Sequence, residues 1–196
     1  QWDAYQAAIV EQGVESVRHA EFLQLGTEQF VGRFPGEEQA FYDPASFLIR
    51  LNKEYERIKK AFEQGTNLAV ILGSGLGYLA SHVEEDIRGN LSQGLLIIEN
   101  RPEWIASQFC LFDCRILLQS KQVYWVIGTP SRDRVQQIFE RYRFDLIPQN
   151  KIFPCQERIL TQSERMELQN IGIEIAKRWK ETSQRNFQMQ RHFFER

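Results

Sequence analysis

Apolar residues recur along this chain with two periods, and the switches between them order the elements. Trp2, Tyr5, Ala8, Ile9, Val14 and Val17 fall at loosely helical spacing, which predicts a short amphipathic helix over residues 2–17. FLQLGTEQFVGRF (22–34) alternates apolar and polar residues on both sides of Gly26-Thr27, the pattern of a small hairpin. Pro35-Gly36 breaks the chain, and Asp43-Pro44 supplies a capping carboxylate and a proline suited to a first helical position. The helix predicted from there runs to about Gln64, with Phe47, Leu48, Leu51, Tyr55, Ile58 and Phe62 as its stripe and Gly65 placed to stop it.

The pattern then changes to short continuous apolar runs, as expected of parallel strands buried on both faces. Leu68–Leu72 is the first run, followed by Gly73, Ser74, Gly75 and Gly77. Leu76, Leu79, Ala80, Val83 and Ile87 return to helical spacing until Gly89-Asn90. Leu95–Ile98 is the second run, ending in Glu99, and Pro102 opens a helix with Trp104, Ile105 and Phe109. One strand–helix–strand unit is written out in order, with a right-handed crossover expected. Residues 122–127 form a third strand candidate, followed by Gly128, Pro130 and Ser131 as turn and cap and a helix through Val135, Ile138, Phe139 and Tyr142. A short fourth strand is expected near residues 151–153. From about Ser163 to Arg196 there is no proline and one glycine, which predicts a long closing helix.

The fold class expected is therefore α/β, a small Rossmann-like parallel sheet flanked by helices, with an N-terminal helix and β-hairpin appendage and a long C-terminal helix. Residues 1–43 form the appendage, 44–158 the Rossmann-like domain, and 159–196 a helix leading to a further domain. Phe193-Phe194 in its last turn, poorly placed at an exposed chain end, and Gln1 in place of Met support the expectation that the natural protein is longer.

Charge and composition change this picture little. A chain of 196 residues can bury one sizeable core, and a net charge of -2 carries no basic field for nucleic acid; ERYR (140–143) and the Arg/Gln-rich tail read as solvated helix faces. No stretch reaches the roughly 20 apolar residues of a membrane span. Three cysteines with no secretory signal point to a reducing cytoplasm and free thiols. Cys110 and Cys114, four apart, would share a helix face as small buried hydrophobes. No CxxC pair or neighbouring histidine completes the roughly four ligands of a zinc site.

The candidate chemistry lies in GSGLGYLA (73–80), which holds GxGxG at Gly73, Gly75 and Gly77 and GxGxxA at Gly75, Gly77 and Ala80. Glycines there permit a tight turn and close backbone approach, and the following helix N-terminus offers unpaired N–H groups to phosphate or carboxylate. Glu99 ends the next strand roughly two dozen residues on, where an acid accepts hydrogen bonds from ribose hydroxyls. Gly73, Ser74, Gly75, Gly77 and Glu99 are thus the candidate cofactor site, for a nucleotide or an S-adenosylmethionine-like ligand. The equal alternative is that the glycines only let the helix pack close to the sheet around a degenerate pocket.

Other residues offer less. His19, His82 and His192 are scattered, with His82 on the solvent side of its helix; Ser74 lacks the GxSxG context of a hydrolase nucleophile. Asp43 reads as a helix cap, Glu84, Glu85 and Asp86 as a hydrated helix face, and Trp104 and Trp125 as core.

The small hairpin before FYDP (41–44), the helix after it, VILGSGLGYLASHV (70–83), LLIIENRPEW (95–104), VYWVIGTP (123–130) and the closing helix together resemble the N-terminal domain of the motility accessory factor family. These are bacterial flagellin glycosyltransferases with a central domain similar to pterin pyrophosphokinase-like proteins. The resemblance covers most of the chain and rests on order and spacing. It implies that transfer of a nonulosonic sugar from a CMP-activated donor to flagellin belongs to the central domain downstream. This segment would then be an accessory module, not catalytic alone, whose partners are that domain and flagellin. A small-molecule methyltransferase using S-adenosylmethionine, and a protein interaction module with a degenerate pocket, are the alternatives.

Overall fold

A computed structural model describes residues 4–24, 30–34, 46–128, 137, 152–157, 160–171, 173, 174, 177, 180, 181 and 184. The turn expected at Gly26-Thr27, the Asp43-Pro44 helix start, most of the helix through Val135 to Tyr142 and the final residues of the chain lie outside them.

The continuous apolar runs form the expected sheet. β3 (Leu68–Leu72), β4 (Gly94–Glu99), β5 (Val123–Ile127) and β6 (Ile152–Gln156) are parallel and lie in the order β5-β4-β3-β6. Ile71 pairs with Ile97 and Leu72 with Ile98, so the first two runs are direct neighbours. β6 reaches further than the sequence pattern suggests. Pro154 interrupts its strand signature yet is accommodated because β6 is an edge strand, where a missing N–H need not break a ladder.

Side chains alternate between the two faces of the sheet. Ala69, Ile71, Leu95, Ile97, Val123, Trp125 and Ile127 enter one core with α1 (Ala4–Arg18), α2 (Phe47–Glu63), α3 (Tyr78–Ile87) and α4 (Pro102–Leu111). Leu68, Leu96, Ile98 and Val126 face the other way, against Leu160, Leu168 and Ile171. The beginning of the closing helix, helical over 162–171 and here α6, therefore covers the second face of the sheet. The short α5 (Arg115–Gln119) follows α4.

Local signals operate as the sequence suggests. α2 ends with Gly65 at positive φ, the Gly65 N–H on the Phe62 carbonyl and the Thr66 N–H on that of Ala61, the paired bonds of a Schellman stop. Its inward face is Phe47, Leu51, Ile58 and Ala61, while Leu48 is exposed. All five apolar positions read for α3 are buried. The hairpin forms from β1 (Glu21–Gln24) and β2 (Phe30–Arg33), antiparallel with Phe22 opposite Gly32. Among the described residues no helix is long and apolar enough to cross a membrane.

The N-terminal helix packs more tightly than its loose stripe suggests. It lies across α4 with Val10 buried and Val14 exposed, and it touches α4 through Gly13. A Cβ at Gly13 would stand 2.6 Å from the Glu103 nitrogen and 2.7 Å from the Pro102 carbonyl carbon. Both are backbone atoms, so the helix itself must lift. Gly13→Ala gains helix propensity of about 1 kcal/mol but meets an overpacking cost of roughly 1–3 kcal/mol. A net loss of about 1 kcal/mol in urea unfolding is expected.

Candidate functional site

The strand order places the point where the chain reverses direction between β3 and β6, where open α/β sheets bind ligands. The structure brings Gly73, Ser74, Gly75, Gly77 and Glu99 together there. Gly73, Gly75 and Gly77 have φ of 72°, 53° and 81°, a left-handed path that carries the chain from β3 to α3. Residues 73–77 are all buried.

Three of the five amides of residues 73–77 are bonded within the protein. The Gly73 N–H donates to the Ile98 carbonyl (2.9 Å) and that of Gly77 to the Ser74 carbonyl (2.9 Å). The Gly75 N–H donates to Oε2 of Glu99 at 3.2 Å, and the Arg101 N–H to Oε1 of the same carboxylate at 3.1 Å. Glu99 is wholly buried. It stands where the strand pattern places it, but it binds the glycine turn directly.

The N-terminus of α3 is closed by a residue the sequence reading did not single out. Glu157, one residue past β6, accepts the Tyr78 N–H on Oε1 (3.0 Å) and the Leu79 N–H on Oε2 (2.8 Å). Gly77 at the N-cap has no side chain to perform this task, and the negative charge matches the positive end of the helix. Glu157 is buried, and its carbonyl accepts from Nη2 of Arg50 on α2 at 2.6 Å. The signal for it was an acid at the carboxyl end of a strand, the same signal that marks Glu99; Pro154 hid the end of the strand.

Gln108 completes the enclosure from α4. Its Nε2 donates to the Gly75 carbonyl (2.7 Å) and to Oγ of Ser74 (3.2 Å), and the side chain is fully buried. A Cβ at position 77 would lie 2.7 Å from Oε1 of Gln108 and would push that side-chain end aside, while the positive φ by itself favours glycine there. Gln108 sits one helical turn after buried Trp104, a polar residue on an inward stripe.

Two sequence expectations need adjustment around this site. Glu84 is buried and bonded to Arg88 (2.6 Å), because its helix position turns it toward the sheet; Glu85 and Asp86 are exposed as a hydrated face requires. Asp86 accepts the Tyr55 hydroxyl at 2.7 Å, a bond that with burial raises the Tyr55 pKa to about 12. Cys110 and Cys114 do not share a helix face, since α4 ends at Leu111, and Cys110 is exposed. No group of three or more potential metal ligands occurs among the described residues.

The thiols nevertheless divide cleanly. Burial pushes Cys114 up to about 11, with Asp113 adding to it, and burial pushes Cys155 higher still. A neutral buried thiol is unreactive. Alkylation of the native protein at pH 8 should add one group, at Cys110, and in denaturant three, read by mass spectrometry. By linkage, Cys114's contribution to stability is intact below its ordinary value of 9.0 and is lost as pH rises from there toward 11.

No protein-family model, no curated protein and no solved structure matches this chain.

Proposed function

We propose that this chain is a non-catalytic Rossmann-like module that serves as the accessory N-terminal domain of a bacterial protein O-glycosyltransferase, one that transfers a nonulosonic sugar from a CMP-activated donor to flagellin. The family part of the reading rests on the resemblance carried by VILGSGLGYLASHV, LLIIENRPEW and VYWVIGTP. The non-catalytic part is carried by one observation: the amides of Gly75, Tyr78 and Leu79, the groups that would receive a ligand, are held by Glu99 and Glu157. A phosphate would have to displace a buried carboxylate from each place and would meet its negative charge. The module's partners are then the downstream catalytic domain of the same polypeptide and flagellin.

A second reading, S-adenosylmethionine binding, is favoured by the position of Glu99 at the end of β4. It requires Glu99 to exchange the amides of Gly75 and Arg101 for ribose hydroxyls. The accessory reading is tested by deleting this segment from the full-length protein. Flagellin glycosylation should fail, whereas the remaining enzyme should still bind CMP-activated sugar. Normal glycosylation in the deletion strain refutes it.

A further inference from the structure

A second concavity meets the glycine turn at Leu76 and Gly77 and otherwise lies outside it. It is an open cavity of about 570 Å³ between α3 and the connection from α4 to α5, a size that suits a small organic group. Its apolar wall combines leucines with three aromatic rings. Phe112 stands between Phe30 of the hairpin and Tyr78 of α3, with ring centroids 5.7 and 5.2 Å away and edge-to-face geometry. The hairpin is pinned there because the Phe30 N–H donates to the Tyr78 hydroxyl (2.5 Å), which in turn donates to the Phe30 carbonyl (3.2 Å).

The polar wall is acidic. Glu85 and Asp113 line it together with His82, and among the described residues neither lysine nor arginine does. Asp113 is paired with Arg115, which holds its carboxyl down at about 2, so its attraction is shared. Glu85 is exposed and makes no hydrogen bond or ion pair among the described residues; Arg88 feels its charge, but no bond among those residues holds the carboxylate away from a ligand. The His82 ring rests near that of Tyr55, with centroids 5.7 Å apart.

We propose that this cavity binds an organic cation with an apolar body, the ammonium or guanidinium group meeting Glu85 and the body lying against Phe30, Tyr78 and Phe112. A carboxylate pairs with the charge while aromatic rings favour both the body and the cation. The same chemistry can come from a free amine or from a lysine or arginine side chain of a protein. The site is independent of the glycosyltransferase reading and shares none of Gly73, Ser74, Gly75 or Glu99.

The test is a two-dimensional NMR titration of the chain with phenethylamine, with phenylacetate as the same body of opposite charge, and with a doubly capped Phe-Lys dipeptide. Saturable shifts at Ser81, His82 and Phe112 are expected with at least one cation and not with phenylacetate. Tighter binding of the dipeptide assigns a protein side chain, and tighter binding of phenethylamine a free amine. Glu85→Gln, at an exposed position, should weaken the cation more than twofold with an unchanged thermal midpoint. A Ser81→Trp variant, which fills the cavity, should abolish binding. Saturation by phenylacetate, no saturable shift with either cation, or a Kd within twofold in Glu85→Gln overturns the proposal.

Discussion

Gln122→Leu should be among the most destabilising single changes in this protein, at about 3 kcal/mol, seen as a fall of roughly 6–12 °C in melting temperature. Gln122 is buried just before β5, and its side chain ties together the turn that returns α3 to the sheet. Nε2 reaches the carbonyls of Ile87 (2.6 Å), Asn90 (2.5 Å) and Gln93 (3.1 Å), and Oε1 accepts the Gly89 N–H (3.2 Å). Leucine matches the volume roughly but takes the side-chain partner from the Gly89 N–H and the Gln93 carbonyl and one of two partners from the carbonyls of Ile87 and Asn90, so the cost is that of unpaired polar groups as well as lost bonds. A loss below about 1 kcal/mol in urea unfolding, the worth of a single ordinary hydrogen bond, would mean that water takes over the turn.

Glu157→Ala should cost about 2–4 kcal/mol, more than an ordinary N-cap deletion at about 1 kcal/mol. Two charge-assisted bonds are lost at once, a part-buried one from Tyr78 and a buried one from Leu79. Glu157→Gln should fall between the two, since an amide oxygen still accepts but carries no charge for the helix end. Urea unfolding with an unchanged m value separates this loss from a change in the compactness of either state. Equal stability of wild type and Glu157→Ala would show that the carboxylate does not close the helix.

The parts of the fold that were legible are those in which local pattern and tertiary demand coincide. Leu68–Leu72 and Leu95–Ile98 read as buried strands because both faces of a parallel sheet are covered, and Gly65 read as a helix stop because αL geometry favours glycine. The glycine turn and Glu99 were legible for the same reason, since a strand, a tight turn and a helix follow one another directly. What could not be read is what arrives from far along the chain. Glu157 lies 78 residues from Leu79, and nothing in the alternation of residues says that β6 returns beside β3. Gln108 and Gln122 stand on otherwise apolar faces; the sequence marks them as polar residues in buried places without naming their partners. α1 illustrates a subtler failure. Its stripe was read through Val14, but the contact with α4 is made at Gly13, a residue without a side chain to signal it.

The occupied turn is also a statement about function, because a cofactor crevice and a self-bonded turn can be built from the same glycines. Here Glu99, Glu157 and Gln108 make the turn part of the core. In the accessory reading, that rigidity would serve to present surfaces to the downstream domain and to flagellin.

The most direct measurement is an isothermal calorimetric titration of the chain with S-adenosylmethionine, S-adenosylhomocysteine and CMP. Glu99 and Glu157 holding the turn's amides predicts no saturable heat with any of them. Saturable heat that disappears in Glu99→Ala would contradict it and place a working cofactor at Gly75.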